Sequence, residues 1–127
     1  MNRVVADASA LAALTFQEPG VDEVKLRLMG AQVFAPRLLQ FEMANVAWKR
    51  IRREPEDALA TMTLLQAALG EGSGIEWMDV NVTDVVLIAQ ATGLTAYDAS
   101  YLWLAASLGA DLVTLDKRLA AASTMDI

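Results

Sequence analysis

The chain has no histidine and no cysteine among its 127 residues, and these absences exclude several reaction classes. Without histidine there is no imidazole general base and no Ser-His-Asp triad; without cysteine there is no thiolate nucleophile and no Cys/His zinc site. Disulfides are excluded too, which fits a reducing compartment. Any hydrolytic chemistry must rest on carboxylates, hydroxyls, lysine or a metal held by oxygen. Proline and glycine are scarce, at 3 and 7 residues, so the chain is neither fibrous nor low in complexity. No apolar run reaches the roughly 18 residues of a spanning helix. The early apolar stretch 4–16 is interrupted by Asp7, where a signal peptide would run on unbroken. The sequence therefore predicts a cytoplasmic protein with no membrane anchor.

What is present is a globular composition, 55% hydrophobic and 20% charged, with enough length for one core. We expect a single domain over residues 1–127. The net charge of −6, from 16 acidic and 10 basic residues, at first sight disfavours a phosphate-rich partner.

Short apolar runs alternate with helical periodicity along the chain. Strands are predicted at 3–6 (RVVA), 32–35 (QVFA), 75–78 and 112–115 (LVTL). Helices are predicted at 9–16, at 21–29, from Pro36 to residue 53, and from the Glu54-Pro55-Glu56-Asp57 start to residue 69. Residues 70–74 read as a flexible loop. Thr83 is expected to cap a helix to residue 92 and Thr95 another to 108, with a last short helix after Asp116. This order predicts an α/β fold, a three-layer α/β/α sandwich around a small parallel sheet.

All strands of a parallel sheet end at one edge, and open α/β folds bind ligands beyond those carboxyl ends. Asp7 follows the first strand directly and Asp116 the last. Each also stands where a helix N-cap belongs, with Ser9 the better placed cap for the first helix. A helix leading into a parallel strand runs against it, so the helix at 95–108 starts at the same edge. Asp98 lies in its first turn, at capping-box spacing from Thr95. The helix from Pro36 starts there as well, with Glu42 in its second turn.

At 100° per residue Glu42 falls among Leu38, Leu39 and Val46, a stripe expected to be buried. Phe41, Ala44, Trp48 and Ile51 occupy the other side, so the helix is expected to be apolar nearly all round. A contact with Asn45 or Lys49 is the structural alternative for Glu42, although Lys49 lies about 10 Å along the axis. A buried carboxylate without a partner costs several kcal/mol, which favours a bound cation. Four carboxylates thus converge on one edge, an oxygen-only set suited to Mg²⁺ or Mn²⁺. Setting these four aside leaves 12 of the 16 acidic residues against 10 basic ones, a net of −2. The objection to a nucleic acid then largely falls away.

The segments VVADASALA at 4–12, APRLLQFEMANVAWK at 35–49, LTAYDASYLWLA at 94–105 and LVTLDKRLA at 112–120 together resemble the PIN-domain ribonucleases. Within them the likeness is to VapC-like toxins of toxin-antitoxin pairs, and it spans essentially the whole chain. It implies a Mg²⁺- or Mn²⁺-dependent endoribonuclease that cuts single-stranded or loop RNA such as tRNA or rRNA. It also implies a homodimer held inactive by a cognate antitoxin. By position the family's acidic cluster falls on Asp7, Glu42, Asp98 and Asp116. Asp7, Asp98 and Asp116 are then metal ligands, and Glu42 joins them as a ligand or as a proton acceptor, a role Asp98 could also take. Ser9, Asn45 and Thr114 match supporting positions, though helix capping accounts for Ser9 and strand propensity for Thr114 equally well.

The basic run of Lys49, Arg50, Arg52 and Arg53 reads mainly as cations favoured at a helix C-terminus. Arg37, Lys117 and Arg118 flank the acidic edge more closely. Surplus apolar residues suit a dimer face and an antitoxin groove, for which the helices at 21–29 and 58–69 come first. Two other readings compete. A receiver-type phosphoacceptor also uses aspartates and Mg²⁺ at such an edge, but it needs a second acid beside Asp7. A catalytically silent PIN-like binding protein would have no need of the intact acidic quartet.

Overall fold

The structure, a computed structural model, describes residues 2–125. Its elements in chain order are β1 (Arg3–Ala6), α1 (Ala8–Phe16), α2 (Val21–Leu28), β2 (Gln32–Pro36), α3 (Leu38–Arg53), α4 (Ala58–Leu69), β3 (Ile75–Met78), α5 (Val82–Thr92), α6 (Ala96–Leu108), β4 (Asp111–Val113) and α7 (Lys117–Ser123). The strands form one sheet in the order β3-β2-β1-β4, and every neighbouring pair is parallel. Such a sheet needs cover on both faces, which is why its strands are short apolar runs. Val4 and Val113 pack with Ala10 of α1 and Val24 of α2. Val5, Phe34 and Leu112 belong to a larger cluster that includes Tyr101, Leu102 and Leu104 of α6. Helices α1 to α4 pack among themselves, whereas α6 rests on β1, β2 and β4 and carries α5 and α7. The expected α/β/α sandwich is the observed architecture.

The connection after β1 runs to β2 on one side, and the chain later crosses back from β3 to place β4 on the other. The carboxyl ends of β1 and β4 therefore lie side by side where the winding reverses, the place at which such sheets bind ligands.

Several local expectations are corrected. Pro36 ends β2, in register with Met78, and α3 starts at Leu38. Helix α5 is capped by Asn81, whose side chain accepts from the Asp84 N–H at 3.1 Å, and Thr83 lies inside the first turn. Strand β4 stops at Val113 because the Thr114 hydroxyl accepts the Asp116 N–H at 3.0 Å and turns the chain out of the ladder. The segment from Glu54 opens as a 3-10 turn over Pro55–Asp57 before α4. The 70–74 loop holds a second such turn, Glu71–Ser73. On α3 only one face is buried, through Leu39, Met43 and Ala47. Phe41 is 74% exposed and Trp48 56%, so that helix is not covered all round.

Candidate active site

Asp7 leaves the end of β1 and is 5% exposed. Its Oδ1 accepts from the Ala10 N–H at 3.0 Å and from the Ser9 hydroxyl at 2.7 Å, and its Oδ2 accepts from the Thr114 hydroxyl at 2.5 Å. Asp7 itself, not Ser9, is therefore the N-cap of α1. The Ser9 oxygen is engaged elsewhere, accepting from the Leu115 N–H at 2.9 Å. Ser9 and Thr114 thus tie the exits of β1 and β4 together around one buried carboxylate. A buried carboxylate with every oxygen bonded escapes the penalty of an orphaned one and is fixed in orientation.

The other three acids approach from helices. Asp116 caps α7, its Oδ1 accepting from the Arg118 and Leu119 N–H groups at 2.9 and 3.1 Å, and it is exposed. Asp98 sits in the first turn of α6, where the Thr95 hydroxyl oxygen accepts its N–H at 3.1 Å, as the capping-box spacing implies. Glu42 on α3 is half-buried, and its Oε1 accepts from the Tyr101 hydroxyl at 2.5 Å.

Electrostatics ties the four into one group. Burial pushes the Glu42 carboxyl above its ordinary pKa; the Tyr101 hydrogen bond pulls it back, and the charges of Asp98 and Asp7 raise it further. Asp98 is raised as well, first by burial, then by the charges of Asp116 and Asp7, against the opposing pull of Arg118 and the Thr95 hydroxyl. Glu42 and Asp98 thus both feel the charge of Asp7 at the end of β1. Among the described residues no three acidic side chains are drawn in tightly enough to grip one ion as they stand; Asp7, Asp116 and Glu42 are turned to their own hydrogen-bond partners. The donor set nonetheless fits a hard divalent cation. It is all oxygen, and the mutual charge that adds to the effect of burial on Asp98 and Glu42 is what such a cation relieves.

The supporting positions divide. Ser9 and Thr114 join the site, whereas Asn45 is exposed and makes no hydrogen bond to Glu42 among the described residues; with Glu42, Phe41 and Tyr97 it lines a shallow hollow of about 300 Å³. Arg118 stands beside Asp98 and donates to the Gly93 carbonyl at 3.0 Å. Arg37 is instead paired with Asp79 at 3.0 Å. Arg50 leaves the basic run, stacking on Phe16 at 4.4 Å and reaching Glu18 at 3.5 Å. Sequence reasoning missed Tyr101. Its signal was its place one turn after Asp98 on the same helix face.

Comparison with known proteins places the chain in a family. The family model of the PIN domain matches residues 4–124. The chain belongs to the PIN-domain family. A curated relative from Pyrobaculum aerophilum, Ribonuclease VapC3, is 34% identical over 125 residues, covering 93% of this chain and 92% of that protein. Exonuclease VapC9 from the same organism is 34% identical over 119 residues, covering 92% of this chain and 83% of that protein. The crystal structure of PAE2754 from Pyrobaculum aerophilum superposes with a TM-score of 0.77 at 30% identity, covering 99% of this chain and 90% of that one. Membership of the PIN-domain family leaves the receiver-type alternative without support. Among the described residues of this PIN domain no helix is long and apolar enough to cross a membrane.

Proposed function

We propose that this PIN domain, spanning the whole chain as one unit, is a Mg²⁺- or Mn²⁺-dependent endoribonuclease acting in the cytoplasm as the toxin of a toxin-antitoxin pair. The observation that carries the reading is the meeting of Asp7, Glu42, Asp98 and Asp116 beside the carboxyl ends of β1 and β4, with Glu42 and Asp98 coupled to Asp7. The name of one relative, Ribonuclease VapC3, supports RNA as the substrate class, and that of the other, Exonuclease VapC9, supports a nuclease.

Asp7, Asp98 and Asp116 would hold the cation, with Glu42 at its side. When bound, the cation supplies a Lewis acid beside the scissile phosphate and offsets the charge developing there. The chain's own residues do the rest. Ser9, Thr114 and the Ala10 N–H keep Asp7 in one orientation. Glu42, its pKa raised toward the working pH, accepts the proton of the attacking water. The Arg118 guanidinium and the exposed Lys117 lie where an RNA backbone approaches the edge. No covalent intermediate is required, so the chain needs neither histidine nor cysteine.

The antitoxin is assigned to the face of α2 and α4. An apolar cavity of about 270 Å³ opens there, lined by Leu11, Leu14, Leu28, Leu64 and Ile75 among others. Leu26, Met29 and Leu59 on the same two segments are exposed. The protein is expected as a homodimer when free of that partner.

The test is incubation of antitoxin-free protein with a mixed tRNA and rRNA pool under Mn²⁺ or Mg²⁺ and under EDTA. Discrete internal fragments that vanish in EDTA are expected. Release of mononucleotides from the ends would assign the exonuclease activity that one relative's name carries. No metal-dependent products at all would leave a silent binding domain.

A further inference from the structure

We propose that Tyr101 is a positioning residue for the Glu42 carboxylate, locking it at the reactive edge through a single hydrogen bond from α6 to α3. The proposal rests on reading Glu42 as the proton acceptor.

Glu42 and Tyr101 come from helices with different neighbours. Helix α3 packs with α1 and α4, whereas α6 rests on the strands and carries α5 and α7. The phenol bridges the two helices and donates to Oε1 at 2.5 Å, a contact between residues 59 apart in sequence. Tyr101 is 1% exposed and its ring is part of the main core. The donor is therefore held by packing and carries little freedom of its own, while the carboxylate it holds sits on a long, flexible side chain.

A buried tyrosine hydroxyl needs a partner, and a backbone carbonyl would serve that purpose alone. Here the partner is one of the four acids. Asp98 lies one turn earlier on the same helix, so α6 delivers a carboxylate and the lock on a second carboxylate to one side. With Oε1 occupied, Oε2 is the oxygen left to receive a proton. Burial, the bond to Glu42 and the neighbouring acids push the Tyr101 hydroxyl far above its ordinary pKa, so it remains a donor throughout. The arrangement parallels Asp7, which Ser9 and Thr114 hold in the same manner. Each of the more deeply buried acids is aimed by hydroxyls.

The test is Tyr101→Phe, which removes one oxygen and keeps the ring. Cleavage of a labelled single-stranded RNA is measured under Mn²⁺, and melting is measured in EDTA. The expected result is a kcat about ten- to a hundredfold lower with KM unchanged and a melting temperature within a few degrees of wild type. The double variant with Glu42→Gln falls no further than Glu42→Gln alone, since both changes remove the same function. Retained kcat, a loss confined to KM, or fully additive losses would overturn the proposal. So would a Tyr101→Phe chain that no longer folds, because the bond would then serve the fold. Asp98→Asn separates the two levels: if it is inactive while Tyr101→Phe is fully active, only this inference fails, and if both are active the assignment of cleavage to this acidic cluster fails.

Discussion

Asp98→Asn is expected to lower RNA cleavage on the order of a thousandfold or more while the chain stays folded. The substitution keeps the side chain's shape and the backbone N–H that the Thr95 hydroxyl accepts, so α6 keeps its cap. What disappears is one negative charge on which the charges of Asp116 and Asp7 act. The same charge carries a stability cost. Asp98 has a native pKa above its ordinary value of about 3.8, so its ionised form is disfavoured by folding. Its penalty is absent below the unfolded value and sets in as pH rises through the raised native one. In EDTA at pH 7 the asparagine variant is therefore expected to melt above wild type, and this gain shrinks as pH falls toward 4. Cleavage and melting curves on the same two proteins check both halves. An active variant, or one that melts lower in EDTA at pH 7, would contradict the account.

Thr114→Val is the second large effect. Valine matches threonine in shape but cannot donate to Asp7 Oδ2 or accept the Asp116 N–H, two bonds the hydroxyl makes at 2.5 and 3.0 Å. The change frees the Asp7 carboxylate to swing and loosens the turn that presents Asp116. Outer hydroxyls of this kind are worth about ten- to a hundredfold in metal affinity or activity. Leaving the buried Asp7 oxygen without its donor costs about 1–3 kcal/mol of stability. Thr114→Ser keeps the hydroxyl and should restore most of both. Cleavage rates and urea unfolding of the two variants decide it; full activity in Thr114→Val would show that the tie between β1 and β4 is structural only.

Much of this was legible in the sequence because the physics involved is local. RVVA and QVFA read as buried parallel strands since both faces of the sheet are covered, and the acids that follow the strands fall at the carboxyl edge by topology. Glu42 stood out because it interrupts an apolar stripe. What was not legible depends on partners far along the chain. Whether Asp7 or Ser9 caps α1 is decided by Thr114 and Leu115, more than a hundred residues away. The link from Tyr101 to Glu42 joins residues 59 apart in sequence, and no periodicity in either helix announces it. Phe41 and Trp48 are as apolar as Leu39, yet only the layer packed against α3 determines which of them is covered. Asn45 and Arg37 lay close to the site in sequence, but Asn45 is exposed and unbonded to Glu42, and Arg37 pairs with Asp79.

The central claim is that the carboxylates at this edge act together as one divalent-cation site. Calorimetric titration of Mn²⁺ into metal-stripped wild type, Asp7→Asn and Asp98→Asn tests it most directly. The account predicts saturable binding to the wild type that is lost or weakened by at least about tenfold in each variant. Equal binding to all three proteins, or none to the wild type, would contradict it.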